Sequence, residues 1–292
     1  MESNNYEVPI KTIYVPLDHS ETSRRAIPLA STIAKATGAT VRFVHATHEA
    51  CTATRMLEIL KLLPEETRNV LMEPLVGSPA EAITEKVMLQ PYSLIVMAMT
   101  SKQKRPTGGL GPIALEILRR CERPIVFVPP EGVWENWKAK QILLPQDSTA
   151  ECARAVSPMI SVAEKHDAVL TILHVPRYSD VPLTQVHAAL PMPRYMDQPQ
   201  YELMAWREEF IERIRTMGNI SDKNALKLVL GVGDPGEEVV NWSHKLPADL
   251  IVIPWYRHYE TAVVLRRVLE DTICPVMVVP VTRPKEKTAK AA

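Results

Sequence analysis

Short apolar runs alternate along the chain with stretches whose apolar residues recur every three or four positions. Ile13-Tyr14-Val15, Val41-Arg42-Phe43-Val44, Leu94-Ile95-Val96-Met97 and Ile125-Val126-Phe127-Val128 read as short strands, several of them apolar on both faces. A strand with two apolar faces belongs to a parallel sheet covered on both sides. The stretches from Ser23 to Thr37 and from Ile113 to Arg120 carry the helical spacing. Strand and helix in alternation predict right-handed crossovers and a doubly wound α/β sheet, whose ligands bind at the carboxyl ends of the strands.

The pattern occurs twice. Lys11 to Asp18 (KTIYVPLD) matches Lys140 to Asp147 (KQILLPQD), 129 positions apart, and His45 matches His174 at the same spacing. Gly77-Ser78-Pro79 then matches Gly233-Asp234-Pro235, and Leu94-Ile95-Val96 matches Leu250-Ile251-Val252, both 156 positions apart. Pro124-Ile125-Val126 matches Pro275-Val276-Met277 at 151. The second copy has therefore gained 27 residues in its middle and lost five later. Two domains follow, 1–133 and 138–281, joined near Val133-Trp134-Glu135-Asn136-Trp137, with 282–292 a flexible basic tail.

Composition narrows the class. A chain of 292 residues with 46% apolar and 23% charged residues is globular, and each half is long enough to bury its own core. With 34 basic against 34 acidic residues, no global field recruits nucleic acid or an anionic membrane. Cys51, Cys121, Cys152 and Cys274 are scattered, which predicts a reducing compartment and no disulfide framework. The longest apolar runs are too short to span a bilayer, and Met1 to Asn5 has no signal-peptide character. A soluble, cytoplasmic protein is expected.

The loops carry the candidate chemistry. Ser78 and Asp234 can cap the helices that begin at Pro79 and Pro235, with Glu81 and Glu237 reaching back; anion binding at the same helix ends is the alternative. Asp18 and Asp147 each end a first strand, as a helix cap or loop turn, or as a carboxylate facing a ligand crevice. His45 and His174 close the second strands, as hydrogen-bonded strand-end residues or as bases. His48 and Cys51 form an HxxC that lacks the further ligands a zinc ion needs, and no P-loop, HExxH or Ser–His–Asp pattern occurs.

A strand ending in Asp, a strand ending in His, a G-[SD]-P-x-E helix start, then DLIV and a closing PIVFVPP together resemble the universal stress protein family. The second half repeats the set as Asp147, His174, GDPGE at 233–237, ADLIVIP at 248–254 and CPVMVVP at 274–280. The resemblance implies two tandem Rossmann-like domains of the adenine nucleotide alpha hydrolase-like kind, five strands each in the order 3-2-1-4-5. It further implies an intramolecular pseudo-dimer paired through the last strands, Ile125–Val128 and Val276–Val279, with a homodimer as a further candidate assembly.

The family's nucleotide-binding branch carries G-x2-G-x9-G-[ST] after its fourth strand. Laid on Leu94 to Ile113, that motif meets Ser101 and Lys104 in place of two glycines, keeps Gly111, and meets Pro112 in place of the hydroxyl. A separate cluster, Thr107-Gly108-Gly109-Leu110-Gly111, lies beside Lys102, Lys104 and Arg105, as a phosphate cradle or a surface loop. In the second half the loop reads Pro254-Trp255-Tyr256-Arg257-His258-Tyr259-Glu260, with no glycine. The resemblance thus implies a non-enzymatic stress-response protein with a degraded nucleotide motif. The alternative is an ATP- or AMP-binding module with weak ATPase activity in the first half, through Asp18, Ala46, Lys102, Gly108, Gly109 and Gly111. Asp147 and Val175 are the non-binding counterparts in the second half.

A third reading is a small-ligand sensor centred on the insertion around 177–200. Its Pro176, Pro182, Pro191, Pro193 and Pro199 suit an extended loop before a helix from Tyr201 to Met217. Met192, Tyr195, Met196, Tyr201, Met204 and Trp206 would line a small-molecule pocket or partner surface, or lid an ordinary core.

Overall fold

The computed structural model describes residues 9–100, 109–175 and 200–281, with the side chains of 200–204 outside that description. The insertion, Lys102 to Gly108 and the basic tail 282–292 lie outside the described residues.

The first half runs β1 (Thr12–Pro16), α1 (Glu21–Arg24), α2 (Ile27–Thr37), β2 (Thr40–Thr47), α3 (Ala53–Leu60), β3 (Val70–Val76), α4 (Pro79–Met88), β4 (Ser93–Ala98), α5 (Pro112–Arg120) and β5 (Ile125–Val128). The second runs β6 (Gln141–Gln146), α6 (Ala150–Arg154), α7 (Ile160–His166), β7 (Val169–His174), α8 (Gln200–Gly218), β8 (Ala225–Leu230), α9 (Pro235–Lys245), β9 (Leu250–Trp255), α10 (Val263–Asp271) and β10 (Val276–Pro280). All ten strands form one sheet in the order β3-β2-β1-β4-β5-β10-β9-β6-β7-β8. Each half has the expected 3-2-1-4-5 order. The registers repeat as well: His45 pairs with Pro74 in one half, His174 with Leu230 in the other.

The halves meet through β5 and β10, the single antiparallel pairing among the described residues, with Phe127 opposite Val276 and Met277 opposite Val126. The pseudo-dimer implied by the resemblance is therefore a continuous sheet. This changes where the core lies. Instead of one core per domain there is one per sheet face, and each runs through both halves. Ile13, Phe43 and Ile33 share a cluster with Ile142, Leu170 and Phe210. Phe127 and Ile95 share the opposite one with Ile251, Trp255 and Val276. Extending a parallel sheet across a shared edge leaves both its faces needing cover, so the helices of the two halves meet over the junction.

Two local expectations are corrected. The helix read from Ser23 to Thr37 is two, broken at Arg25 and Ala26. Pro28 lies in the first turn of α2, where its missing N–H costs nothing but ends any continuation from α1. Ser78 makes no side-chain cap bond, whereas Asp234 accepts from the Glu237 amide at 2.9 Å. The segment joining the domains is packed: Trp134 and Trp137 are buried, and their indole N–H groups donate to Pro129 O and Asp249 O. Of the aromatic and methionine residues read on and beside the insertion, Trp206 is described, half-buried against Phe210 with ring centroids 5.3 Å apart.

Candidate functional site

The carboxyl ends of β1, β2 and β4 gather Asp18, His45, Ala46 and Thr100 at one edge of the first half. Asp18 lies two residues beyond β1, and its Oδ1 accepts from the Ser20 amide at 2.8 Å and the Ser20 hydroxyl at 2.5 Å. Ser20, not Asp18, caps α1, accepting from the Ser23 amide at 3.2 Å. The Ser23 hydroxyl lies 3.2 Å from the Asp18 amide, which donates to it. The other carboxylate oxygen, Oδ2, takes no hydrogen bond from the described residues, and the side chain is exposed. Burial opposes the carboxylate's charge, but the bonds from Ser20 and the nearby Ser23 hydroxyl outweigh it and hold the group below its ordinary range.

His45 ties two strands together. Its Nδ1 lies 2.8 Å from Leu17 O, and since a carbonyl only accepts, Nδ1 carries the proton. His174 makes the equivalent bond to Gln146 O at 3.0 Å. Both histidines are hydrogen-bonded strand-end residues. Ala46 is half-buried near the end of β2, and Val175 follows β7 in the same way.

The second half has the same turn. Asp147 Oδ1 accepts from the Thr149 amide at 3.0 Å and hydroxyl at 2.6 Å, and Thr149 caps α6. Here the other oxygen is covered, because Tyr256 donates its hydroxyl to Asp147 Oδ2 at 3.4 Å. The same hydroxyl lies 3.4 Å from Thr149 Oγ1 and 3.4 Å from Cys152 Sγ. The repeat spacing puts Thr100 where Tyr256 stands, and Ser23 where Cys152 stands. Tyr256 thus covers the second oxygen of Asp147, and among the described residues nothing hydrogen-bonds the equivalent oxygen of Asp18.

That enclosure sets the chemistry of Cys152. Burial, then the Asp147 carboxylate, push its thiol up to about 11, and burial pushes the Tyr256 phenol up as well. Cys274 is likewise pushed to about 11 by burial, and Cys121 is raised for the same reason. Cys51 is half-buried. A thiol reagent at pH 7.5 is therefore expected to modify Cys51 in the native protein and to reach the other three only on unfolding. Mass spectrometry of the labelled chain checks this; labelling of Cys152 as fast as Cys51 would contradict it.

The described glycines of the candidate cluster face protein. Gly109 has φ +79°, and a Cβ there would lie 2.5 Å from Leu269 O; a Cβ on Gly111 would lie 2.7 Å from Thr100 Oγ1. Gly111 caps α5 by backbone alone and Pro112 opens the helix. Among the described residues no group of three or more His, Cys, Asp or Glu is arranged to hold a metal ion. No described helix is long and apolar enough to cross a membrane.

The Tyr256 contact is the feature the sequence reading missed. Its signal was present: both halves carry a hydroxyl residue two positions after the aspartate, and the repeat spacing aligns Thr100 with Tyr256.

Comparison with known proteins agrees with this architecture. A search of curated proteins gives no match. A protein of unknown function from Pseudomonas aeruginosa PAO1 has a similar structure, with TM-score 0.65 at 16% identity over 95% of each chain. A universal stress protein from Archaeoglobus fulgidus DSM 4304 gives TM-score 0.62 at 16% identity, covering 92% of this chain and 98% of its own. The family model described as Universal stress protein family matches residues 9–129 and again 138–280. The chain belongs to the universal stress protein family, as a tandem two-domain member.

Proposed function

We propose that this is a stress-response protein that acts by binding rather than by catalysis, and that its first domain holds the ligand, an adenine nucleotide. The observation that carries the reading is the contrast between the two aspartates. Asp18 Oδ2 takes no hydrogen bond from the described residues, whereas Asp147 has the same atom covered by Tyr256. An open carboxylate oxygen at a strand end suits the paired donors of a ribose or a base amine. In this reading half-buried Ala46 forms the floor of the crevice, and Gly109 and Gly111, which follow β4, form its far wall. A binding role also accords with Cys152 of the second half, which stays a thiol at neutral pH.

A ligand that binds only the native state raises its melting temperature, so thermal shift of the full chain against ATP, ADP, AMP and cyclic AMP tests the reading. Asp18→Asn sharpens it. The asparagine carbonyl can still accept both bonds from Ser20, while an amide donor replaces the open oxygen. Nucleotide affinity is expected to fall roughly ten- to a hundredfold with the fold retained. Because the folded Asp18 titrates below its unfolded counterpart, its ionised form stabilises the protein above about pH 4. That contribution fades as pH falls through the folded value, so wild type and Asp18→Asn converge in acid. Asp147→Asn serves as the control and is expected to leave nucleotide affinity unchanged. Equal affinity of wild type and Asp18→Asn would overturn the proposal.

A further inference from the structure

After its fourth strand each domain places a residue, Gly109 in the first and Arg257 in the second, against the end of the other domain's last helix. From the first half, Gly109 is buried, and a side chain there would strike Leu269 O at 2.5 Å and Glu270 N at 2.9 Å. Both are backbone atoms of the last turn of α10, so no rotamer change can make room. Glycine is required here by the neighbouring domain. From the second half, Arg257, itself in the left-handed region at φ 66°, donates Nη1 to Glu122 at 2.5 Å. Its Nη2 reaches the carbonyls of Arg119 and Arg120 at 3.5 and 3.4 Å, where α5 has run out of amide donors. Arg119 answers with an ion pair to Glu260 at 2.8 Å and lies over the Tyr259 ring at 5.7 Å. The two seats flank the antiparallel β5–β10 junction.

A short chain of contacts leads from the carboxyl end of β4 to this junction. Thr100 follows β4, Gly111 packs on its hydroxyl, and two residues earlier Gly109 packs on Leu269. We infer that the second domain completes the far wall of the first domain's crevice, so that nucleotide binding in the first domain and docking of α10 in the second are thermodynamically coupled. This rests on the functional reading above. Coupling is reciprocal: a ligand that orders Gly109–Gly111 must also order the last turn of α10, and a change that loosens docking must weaken the ligand. The second domain, with its own crevice closed by Tyr256, then serves as the element that reads occupancy of the first.

Hydrogen exchange of the full chain, with and without saturating ATP, tests the coupling. In the wild type, ATP is expected to slow exchange at residues 17–25 and also at 262–272, by about fivefold or more in each. Gly109→Ala, which forces α10 away, is expected to weaken ATP binding about fivefold and, at saturating ATP, to lose the protection at 262–272. Arg257→Ala, which touches no part of the crevice, is expected to weaken ATP binding about fivefold, and it carries the test if Gly109→Ala fails to fold. Protection at 17–25 with none at 262–272 in the wild type overturns the coupling alone. No protection at 17–25 overturns the functional reading, and the coupling falls with it.

Discussion

Replacing Phe127 by alanine is expected to cost about 3–5 kcal/mol and to lower the melting temperature of the whole chain by roughly 10 °C. Phe127 is fully buried on β5 and stands opposite Val276 of the other domain. Its cluster includes Ile251, Trp255, Leu265 and Val278, all from the second half. An alanine there leaves a cavity at the junction that neither half can close by itself, since the strands around it are held by ladder bonds. Because both cores cross the junction, unfolding of either half exposes apolar surface of the other. The loss is therefore expected in a single calorimetric transition that shifts as a unit. Two transitions, only one of which moves, would show that the halves unfold independently and that the shared cores contribute little to cooperativity.

The second large effect is expected at Glu73. Its carboxylate pairs with Arg42 through Oε1, and Oε2 lies 3.3 Å from Lys86 Nζ without hydrogen-bond alignment. The group is mostly buried between β2, β3 and α4. On the same face the Tyr14 hydroxyl is fully buried without a hydrogen-bond partner; burial first, then the Glu73 charge, push its pKa up. Removing Glu73 leaves two cations facing each other with no counter-charge. Breaking a buried pair in this way costs about 3–5 kcal/mol; with Arg42 and Lys86 partly exposed, about 2–3 kcal/mol is expected for Glu73→Val.

The protein supplies its own control. At the repeat-equivalent positions the second domain has Leu143, Thr171, Val229 and Trp242 where the first has Tyr14, Arg42, Glu73 and Lys86. Moving that whole set into the first domain (Tyr14→Leu, Arg42→Thr, Glu73→Val, Lys86→Trp) is expected to recover most of the loss, because no unpaired charge remains. Chemical denaturation of the two variants beside wild type decides it. A single Glu73→Val within about 0.5 kcal/mol of wild type would mean that the ions are solvated well enough to need no partner.

The legible part of this fold is the part written in local order. Strand after strand, the apolar runs at Ile13, Val41, Leu94 and Ile125 fall where the ladder is, and the repeat spacings of 129, 156 and 151 match the paired registers of the two halves. Pro79 and Pro235 open their helices as their missing N–H groups require. The break before Pro28 was equally local and was passed over because the apolar period continues across it. The failed cap at Ser78 has another cause: a motif supplies a capping side chain, but its rotamer is set by surroundings that the motif does not contain.

The chain by itself thus determined that there are two copies of one α/β unit and which aspartates end the first strands, while the strand order came from the family resemblance. The first two are consequences of periodicity and of covalent order. Only the tertiary structure decided which aspartate stays open. Asp18 and Asp147 make the same turn with the same partners, and they differ because a tyrosine 109 residues beyond Asp147 returns to cover its second oxygen. Likewise Gly109 looks from its neighbours like part of a phosphate loop, yet what it must accommodate is the backbone of Leu269 in the other domain. Hydrogen bonds and steric limits act through space over a few ångströms, so residues far apart along the chain fix each other's roles only once β5 and β10 have joined the two halves.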